Sequence, residues 1–547
     1  MKKRGCLKRP RQPSSKREKF NTIGGMNNGK VIFKEYNMQQ PSLLPPSLEE
    51  LIPEGHLVRV VNQVVDELDI SPLLAKYKGG GTSSYHPRMM LKVIVYAYSQ
   101  KIYSSRKIEK ALWENIGFMW ISGGNRPDFH TLNNFRSETM KEAVRKVFAS
   151  LMEFLVEEGY VKMENYFVDG TKVGANSNPH KVVWAKKTKR YKEKLQEQIE
   201  ALLDEIEREN EAENEAYGEE NLEELGEQSE ITAERVRKQV DELNQRLWEA
   251  PQDKTLKKAA KTLEEKHLPR LQKYEEQERL LDGRNSYSKT DPDASSLRMK
   301  EDRAARKPLA RPAYNVQMGT EGQFVVGYSI HQQAGDTTCF LPHMQQQIFP
   351  QGRKFKNGSG DAGYGSEENY AFLEREGMGN FFKYNTFHQE QHPPRKPELL
   401  EKLRFKSSSF PYDQGKDEFT CPTQKRLVYI ETRPYKSKNG YLSKRRFYEC
   451  LDCAACPVKP KCTKARGNRR MQVSFELQRY RQQARENLLS EQGLALQQRR
   501  STEPETVFGD IKHNMEFRRF MLRGLKKVDI EWGLLCIAHN LRKLAIQ

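Results

Sequence analysis

Tyr166-Phe-Val-Asp169-Gly-Thr-Lys-Val173 is the stretch on which the fold turns. An apolar run ending on a carboxylate is predicted as a buried strand with the acid at its exit. Taken alone, Asp after a strand is a common turn residue. Two further acids change that weighting. Asp361 sits in Gly358-Ser-Gly-Asp361-Ala-Gly-Tyr-Gly, just before an acidic helix start at Ser366-Glu367-Glu368. Glu505 opens Glu505-Thr-Val-Phe-Gly, with Arg500-Ser501 before it, Lys512 seven residues on, and a basic run from Met515 to Lys527. The seven-residue spacing predicts Glu505 and Lys512 on one face of one helix. A solvated ion pair on an amphipathic helix would look the same. Three acids in order, each on its own element, suit divalent metal, because carboxylates supply both charge and hard oxygen ligands.

Composition points to a polyanionic partner. The chain has 547 residues and a formal charge of +19, while Ala201 to Glu230 holds thirteen acids and one base, leaving +31 on the remainder. A basic surface with one segregated acidic stretch fits nucleic acid; an anionic membrane surface is the alternative. No apolar run approaches the roughly 20 residues needed to span a bilayer. The basic amino terminus lacks the apolar segment of a secretory signal. A cytoplasmic site is therefore expected. Nine bases and one acid fall in the first twenty residues, which read as a disordered leader over 1–37, with Met38 a plausible alternative start. The length predicts two to four domains.

From Ser47 the chain reads helical. Leu57, Val60-Val61, Val64-Val65 and Leu68 form an apolar stripe, and Gly79-Gly80-Gly81 breaks it. Leu91–Tyr98 and Arg106–Trp113 are predicted helices joined by a short polar turn. With Arg106 and Lys107 opening the second, the pair suggests a helix-turn-helix. A last helix is predicted from near Thr131 to about Glu158, closing an amino-terminal helical domain over 38–160. Residues 183–285 read as an insertion. Leu195, Ile199, Leu202 and Ile206, and again Val236, Val240, Leu243 and Leu247, carry the 4-3-4 spacing of a helical hairpin or short coiled coil, with the acidic stretch as its tip. A dimer contact or DNA-end clamp competes here with a solvated spacer. Ala313–Met318 and Phe324–Ile330, joined by Gly319-Thr-Glu-Gly322, are predicted as a hairpin.

Cys450-x2-Cys453-x2-Cys456-x5-Cys462 lies near Cys421. These spacings let thiolates converge on one tetrahedral ion, so the five cysteines are zinc candidates for four places. The spacing and proline position do not match a ferredoxin iron–sulfur run. Reduced, unliganded thiols are the alternative. Lys459, Lys461, Lys464, Arg466, Arg469 and Arg470 would make this a basic knob able to grip phosphates. Asp291 and Asp293, in TDPDAS, read as a turn or helix cap rather than as ligands. Glu367 and Glu368 read as favourable charges at a helix start. His86 and His130 have no recognisable catalytic partner.

Three segments, YFVDGTKVGANSN, DAGYGSEENYAFLE and RSTEPETVFGDIKHNMEFRRFMLRG, resemble the three acidic motifs of DDE transposases from bacterial insertion sequences. LLPPSLEELIPEGHLVRVVNQVVDELD and SYHPRMMLKVIVYAYSQKIYSSRKIEKAL resemble the family's amino-terminal domain. RPAYNVQMGTEGQFVVGYSI and WGLLCIAHNLRKL fit as well, so the resemblance runs from about Tyr36 to the carboxyl terminus. The strand before Asp361, KFKNGSG, departs from it: it is polar and Gly-rich where an apolar strand is expected.

The resemblance implies an α/β fold: a ribonuclease-H-like mixed-sheet catalytic core split over 161–182, 286–384 and 495–547. Added to it are the helical amino-terminal domain as the DNA-binding part, the helical-hairpin insertion, and a Cys-rich insertion over 385–494. It implies Asp169, Asp361 and Glu505 as ligands of two Mg²⁺ (Mn²⁺ may substitute), with Lys512 beside the scissile phosphate. Arg106, Lys107, Arg500, Arg518 and Arg519 are the expected DNA contacts. The partners implied are double-stranded DNA, at the element's inverted repeats and at the target, and a second copy of the chain on that DNA; no membrane is involved. The alternatives are a metal-dependent nuclease without strand transfer and a catalytically decayed DNA-binding protein.

Overall fold

The structure is a computed structural model that describes residues 46–77, 84–217, 231–249, 252–299, 309–347 and 352–547. The basic leader with Met38, the Gly79–Gly81 break and the acidic stretch from residue 218 to 230 lie outside the described residues. Leu48–Gln547 forms one compact unit.

The Tyr166 run forms a strand as predicted, β1 (Asn165–Gly174), buried along most of its length. It is central in a mixed sheet. On one side lies β2 (Ala310–Glu321), antiparallel to it, and beyond that β3 (Phe324–His331), antiparallel in turn. On the other side β4 (Asn357–Gly360) and β5 (Gly379–Phe382) run parallel to β1. The order across the sheet is therefore β3-β2-β1-β4-β5, with Ser295–Arg298 paired to the first residues of β2. Parallel neighbours need long crossovers, and such strands are buried on both faces.

The β2–β3 hairpin was predicted, but its turn is Gly322-Gln323, both at positive φ (58° and 62°), as a two-residue hairpin loop requires. Gly319 stays within the strand because a Cβ there would lie 1.9 Å from the Tyr166 ring. Glu321 fastens the start of β1. Its carboxylate accepts the backbone N–H groups of Lys162, Met163, Glu164 and Asn165 at 2.7–2.9 Å.

The polar, Gly-rich strand before Asp361 also has a packing cause. A Cβ on Gly358 would come within 2.9 Å of the Phe382 ring, and one on Gly360 within 2.4 Å. Phe382 lies across β4 and packs edge-on with Phe340 and Tyr364. The apolar bulk expected on β4 is supplied by its neighbours.

The amino-terminal helices include α1 (Leu57–Glu67), α2 (Pro87–Ser99), α3 (Ser105–Glu114), α4 (Phe129–Ser137) and α5 (Val144–Glu157). One helix was predicted where α4 and α5 stand. Between them the chain turns through Thr139–Lys141, where Glu138 pairs with Lys527 at 3.0 Å. The main core cluster joins these helices to the sheet and to the closing helix, with α2 buried nearly all round.

The insertion leaves and returns through a two-stranded clip, Val182–Trp184 against Ser286–Ser288. It is more than a hairpin. Ala185–Tyr217 and Ala233–Glu249 share their own core with Lys254–Thr262 and Leu268–Leu281. Leu203, rather than Leu202, takes the buried seam position. The Cys-rich segment forms a five-stranded antiparallel sheet, running from Arg470–Val473 through Leu442–Cys450, Arg426–Lys436 and Glu418–Thr420 to Tyr412–Asp413.

Three further helices frame the core: α6 (Glu367–Arg375), α7 (Phe475–Leu489) and α8 (Glu491–Gly509). Ala484 and Leu488 of α7 and Leu496 of α8 pack with Phe167 and Phe381 on one face of the sheet. The closing helix α9 (Leu525–Leu544) is held at its start by acids read as a cap. Asp293 accepts the Leu525 N–H at 2.8 Å, and Asp291 accepts the Gly524 N–H at 3.1 Å and the Tyr314 hydroxyl at 3.0 Å.

Candidate active site

Sheet register assembles the site. Phe167 of β1 lies opposite Ser359 of β4, and Ser359 opposite Phe381 of β5. Two residues further along come Asp361 and Lys383, just past the carboxyl ends of β4 and β5, and Asp169, which lies within β1 rather than at its exit as expected, because β1 continues to Gly174 beside β2. Side chains two apart share a face, so this is a charged row on the face that α7 and α8 cover. The carboxyl edge of parallel strands is where ligands of open α/β sheets bind.

Asp169 is 6% exposed, and its carboxylate accepts the Gly170 N–H at 2.8 Å. Asp361 is more open. It caps the short turn Ala362–Tyr364, accepting the Gly363 N–H at 2.9 Å. Lys383 follows Phe381-Phe382 directly, and its place in the row comes from the register of β5 against β4. Its ammonium is pushed down by burial and by Arg500, with Asp361 pulling the other way.

Helix α8 supplies the second set. It crosses over β1, and the Arg499 guanidinium stands 5.3 Å from the Phe167 ring. Arg500, largely buried, brings Nη2 to 3.9 Å from Asp361. Further along, Lys512 Nζ donates to Thr171 Oγ1 at 2.7 Å and to the Lys172 carbonyl at 3.2 Å. Glu505 lies between Arg500 and Lys512 in sequence, with an exposed side chain.

Between Glu505 and Lys512 the regular helix is interrupted. The chain passes from α-helix into a π-helical turn, Asp510–Asn514, before Lys512 completes its reach. Asp510 anchors that turn: its carboxylate bonds His539 Nδ1 at 2.8 Å and lies 3.6 Å from Arg542. Burial raises the Asp510 carboxyl, but His539 and Arg542 outweigh it and the net shift is down. The buried acid on α8 is Glu503, bonded to Arg499 and to the Gln323 N–H, and its role is structural.

Beneath the row, on the other sheet face, lies a polar layer that sequence reasoning missed. Asp336 Oδ1 accepts the side-chain amides of Asn315 and Gln317, each at 2.9 Å, and the Tyr364 hydroxyl donates to Gln317. Gly170 must be glycine there, because a Cβ would lie 2.6 Å from Asp336. Thr337 donates to the Gly363 carbonyl, tying this loop to the one that carries Asp361.

The structure brings Asp169, Asp361, Arg500 and Lys512 to one edge of the sheet, with Glu505 on the helix above. Among the described residues, no three His, Cys, Asp or Glu side chains stand as a set that could hold a metal ion. The basic pair Arg518 and Arg519 divides. Arg519 donates to the Ala175 and Ser177 carbonyls, clamping the exit of β1, while Arg518 is exposed. Arg106 and Lys107 are exposed at the first turn of α3, with the Arg106 guanidinium 4.8 Å from the Phe129 ring.

Cys421, Cys450, Cys453, Cys456 and Cys462 line one cavity in the five-stranded sheet's knob. Cys421 Sγ accepts the Lys425 N–H at 3.3 Å, and Cys453 Sγ the Arg469 N–H at 3.4 Å. Burial pushes the Cys450 thiol up to about 11. No helix among the described residues is long and apolar enough to cross a membrane.

Two segments match known protein families. Residues 46–138 match a transposase domain (DUF772), and residues 420–545 match a transposase DDE domain. Arg106 and Lys107 fall in the first; the five cysteines, Arg500, Glu505, Lys512, Arg518 and Arg519 fall in the second; Asp169 and Asp361 lie between them. No curated protein and no solved structure matches.

Proposed function

From a chain that joins a transposase domain to a transposase DDE domain, as a DDE transposase of an insertion sequence does, we propose an enzyme that cuts the ends of its element and joins them to target DNA. The observation that supports the proposal most is the parallel register of Phe167 with Ser359, two residues before Asp169 in β1 and before Asp361 just past β4, beneath the helix that bears Glu505. The strand order β3-β2-β1-β4-β5, an antiparallel hairpin followed by three parallel strands, supports a ribonuclease-H-like core. On this reading 38–160 is the DNA-binding domain, 183–285 and 385–494 are insertions, and 161–182, 286–384 and 495–547 make up the catalytic domain.

Asp169, Asp361 and Glu505 would hold two Mg²⁺. Their hard, anionic oxygens suit that ion. Bound there, it would supply Lewis-acid activation of the attacking water or 3′ hydroxyl and stabilisation of the leaving oxygen. The protein's own groups do the rest. Arg500 offsets charge on Asp361 and approaches the phosphate. Lys512, fixed by Thr171, presents a cation beside the strand's end. Lys383 holds a third positive charge in the row. The exposed first turn of α3, where Arg106 and Lys107 add to the positive end of the helix, would read the element's ends. Two DNA ends have to be handled together, so the protein would act as a dimer on DNA.

The cysteines that line this cavity would, by drawing together, supply the four thiolates of a structural zinc, and backbone N–H groups that point at two of the sulfurs would offset thiolate charge. Such a site would staple the base of the Cys-rich sheet.

Strand joining separates this reading from a nuclease of the same fold. Incubated with Mg²⁺, element-end DNA and a plasmid, the protein should yield end–plasmid joints. Cleavage with no joints would favour the nuclease, and end binding with no metal-dependent chemistry would favour a decayed copy.

A further inference from the structure

Arg426–Lys436 and Leu442–Cys450 form a long two-stranded ribbon that none of the catalytic roles above uses. At about 3.3 Å per residue the first strand spans roughly 35 Å, close to one turn of duplex DNA. The segment from Arg426 to Cys450 carries seven bases and two acids.

Its two faces differ. One packs inward: Tyr448 is buried, and the Arg446 guanidinium lies between the Tyr429 and Phe475 rings at 5.0 and 5.5 Å. The other faces solvent. There Arg433 stacks on Phe447 at 5.4 Å and Arg445 on Tyr435 at 4.3 Å, beside Ile430, which is 48% exposed. Stacking on a ring holds a guanidinium flat and leaves its N–H edge outward, the geometry that phosphate accepts. The two acids do not cancel this surface. Glu449 is tied to Arg470, and Glu431 to Arg433, in surface pairs of the kind a phosphate displaces at little cost.

The ribbon is fixed at both ends. At its base, Cys450 opens into the cysteine cavity. At its tip, Asn439 donates to the Thr338 carbonyl at 3.3 Å and to Glu368 at 3.4 Å. Thr337, the residue before Thr338, is bonded to Gly363 in the loop carrying Asp361. A basic ribbon is thus moored beside the proposed catalytic edge.

We infer that the outer face of this ribbon, through Arg433 and Arg445 with Tyr435, grips the phosphate backbone of the DNA that flanks the scissile phosphate. The inference rests on the transposase reading for the position of the cut, but not for the contact itself.

The test uses the full-length protein and a labelled random-sequence duplex of about 40 base pairs, titrated over a range of salt. Each phosphate contact contributes about −0.9 to the slope of log K against log salt. The double variant Arg433→Ala, Arg445→Ala should flatten that slope by about 2. The charge-keeping pair Arg433→Lys, Arg445→Lys should leave it close to wild type, which separates charge from misfolding. A benzoylphenylalanine placed at position 435 should crosslink to the duplex. A double alanine variant with the wild-type slope, or no crosslink, would overturn the inference. Mg²⁺-dependent cleavage of element-end DNA is measured on the same preparations. A ribbon that binds in a protein that never cleaves would sink the transposase reading alone. Cleavage and binding unchanged in the double alanine variant would sink the ribbon alone. A wild type that binds no duplex would sink both.

Discussion

Lys512 shows how a single side chain is placed by more than its spacing in sequence. Seven residues separate it from Glu505, but the π-helical turn anchored by Asp510 sends it to Thr171 on β1. A cation held there acts on charge that develops during the reaction, so Lys512→Ala should lower the cleavage rate by about 10²-fold with little change in DNA affinity. Single-turnover cleavage measured beside equilibrium binding checks this; equal losses in both would reassign Lys512 to binding.

Glu531 gives a residue-scale prediction for stability. It is fully buried in α9 and accepts the Met521 and Leu522 N–H groups. Burial raises its carboxyl to about 7, against the pull of those N–H groups and of Arg136. A raised acid keeps its proton in the folded state after the unfolded chain has lost it. Its contribution to stability is therefore present below the unfolded value near 4.5 and is lost as pH rises toward 7. The loss is about 3 kcal/mol across that window. Glu531→Gln, which keeps an acceptor, should flatten this part of the stability–pH curve in denaturant titrations from pH 4.5 to 8. An unchanged slope would contradict the account.

Among the elements, β4 tests the packing explanation for its odd composition. Gly360→Val would drive methyl groups into the Phe382 ring in a closely packed layer, at a cost of about 1–3 kcal/mol. Denaturant midpoints measure it, and a neutral effect would show that the aromatic layer yields. β1 was legible because its apolar run is a local feature; its continuation past Asp169 to Gly174 was not, because it depends on pairing with β2. β4 was not, because what makes glycine correct there is Phe382, more than twenty residues away. The same holds across the site. Asp169 and Asp361 were readable one at a time, but Lys383 and Asp336 matter through strand register and the opposite sheet face, which no local pattern encodes. The helical insertion was readable as two seams; its remaining helices were not, because they complete a core whose other half lies elsewhere in the chain. The single helix expected near Thr131–Glu158 failed for a related reason. Its break follows contacts with the closing helix, such as Glu138 with Lys527, that sequence spacing cannot reveal.

At the scale of the whole molecule, the account separates recognition from chemistry. Base reading can sit in the amino-terminal helices while backbone contacts gather near the acids. Arg106→Ala with Lys107→Ala should therefore weaken binding to element-end DNA more than to random DNA. Arg518→Ala should weaken both alike and flatten the salt dependence by about one contact. Competition binding with the two DNAs tests this; an equal loss from the Arg106–Lys107 variant would leave the helices a packing role only. Their burial against α9 already gives them one.

The central claim is that three acids from three elements form one metal-dependent site. It is tested most directly by cleavage of element-end DNA, taken from the sequences flanking the gene, in Mg²⁺ by wild type and by Asp169→Asn, Asp361→Asn and Glu505→Gln. Each substitution should abolish cleavage while leaving end binding within a few-fold of wild type. Near-normal cleavage by any one of the three would contradict the claim for that residue, and near-normal cleavage by Asp169→Asn or Asp361→Asn would contradict the site itself.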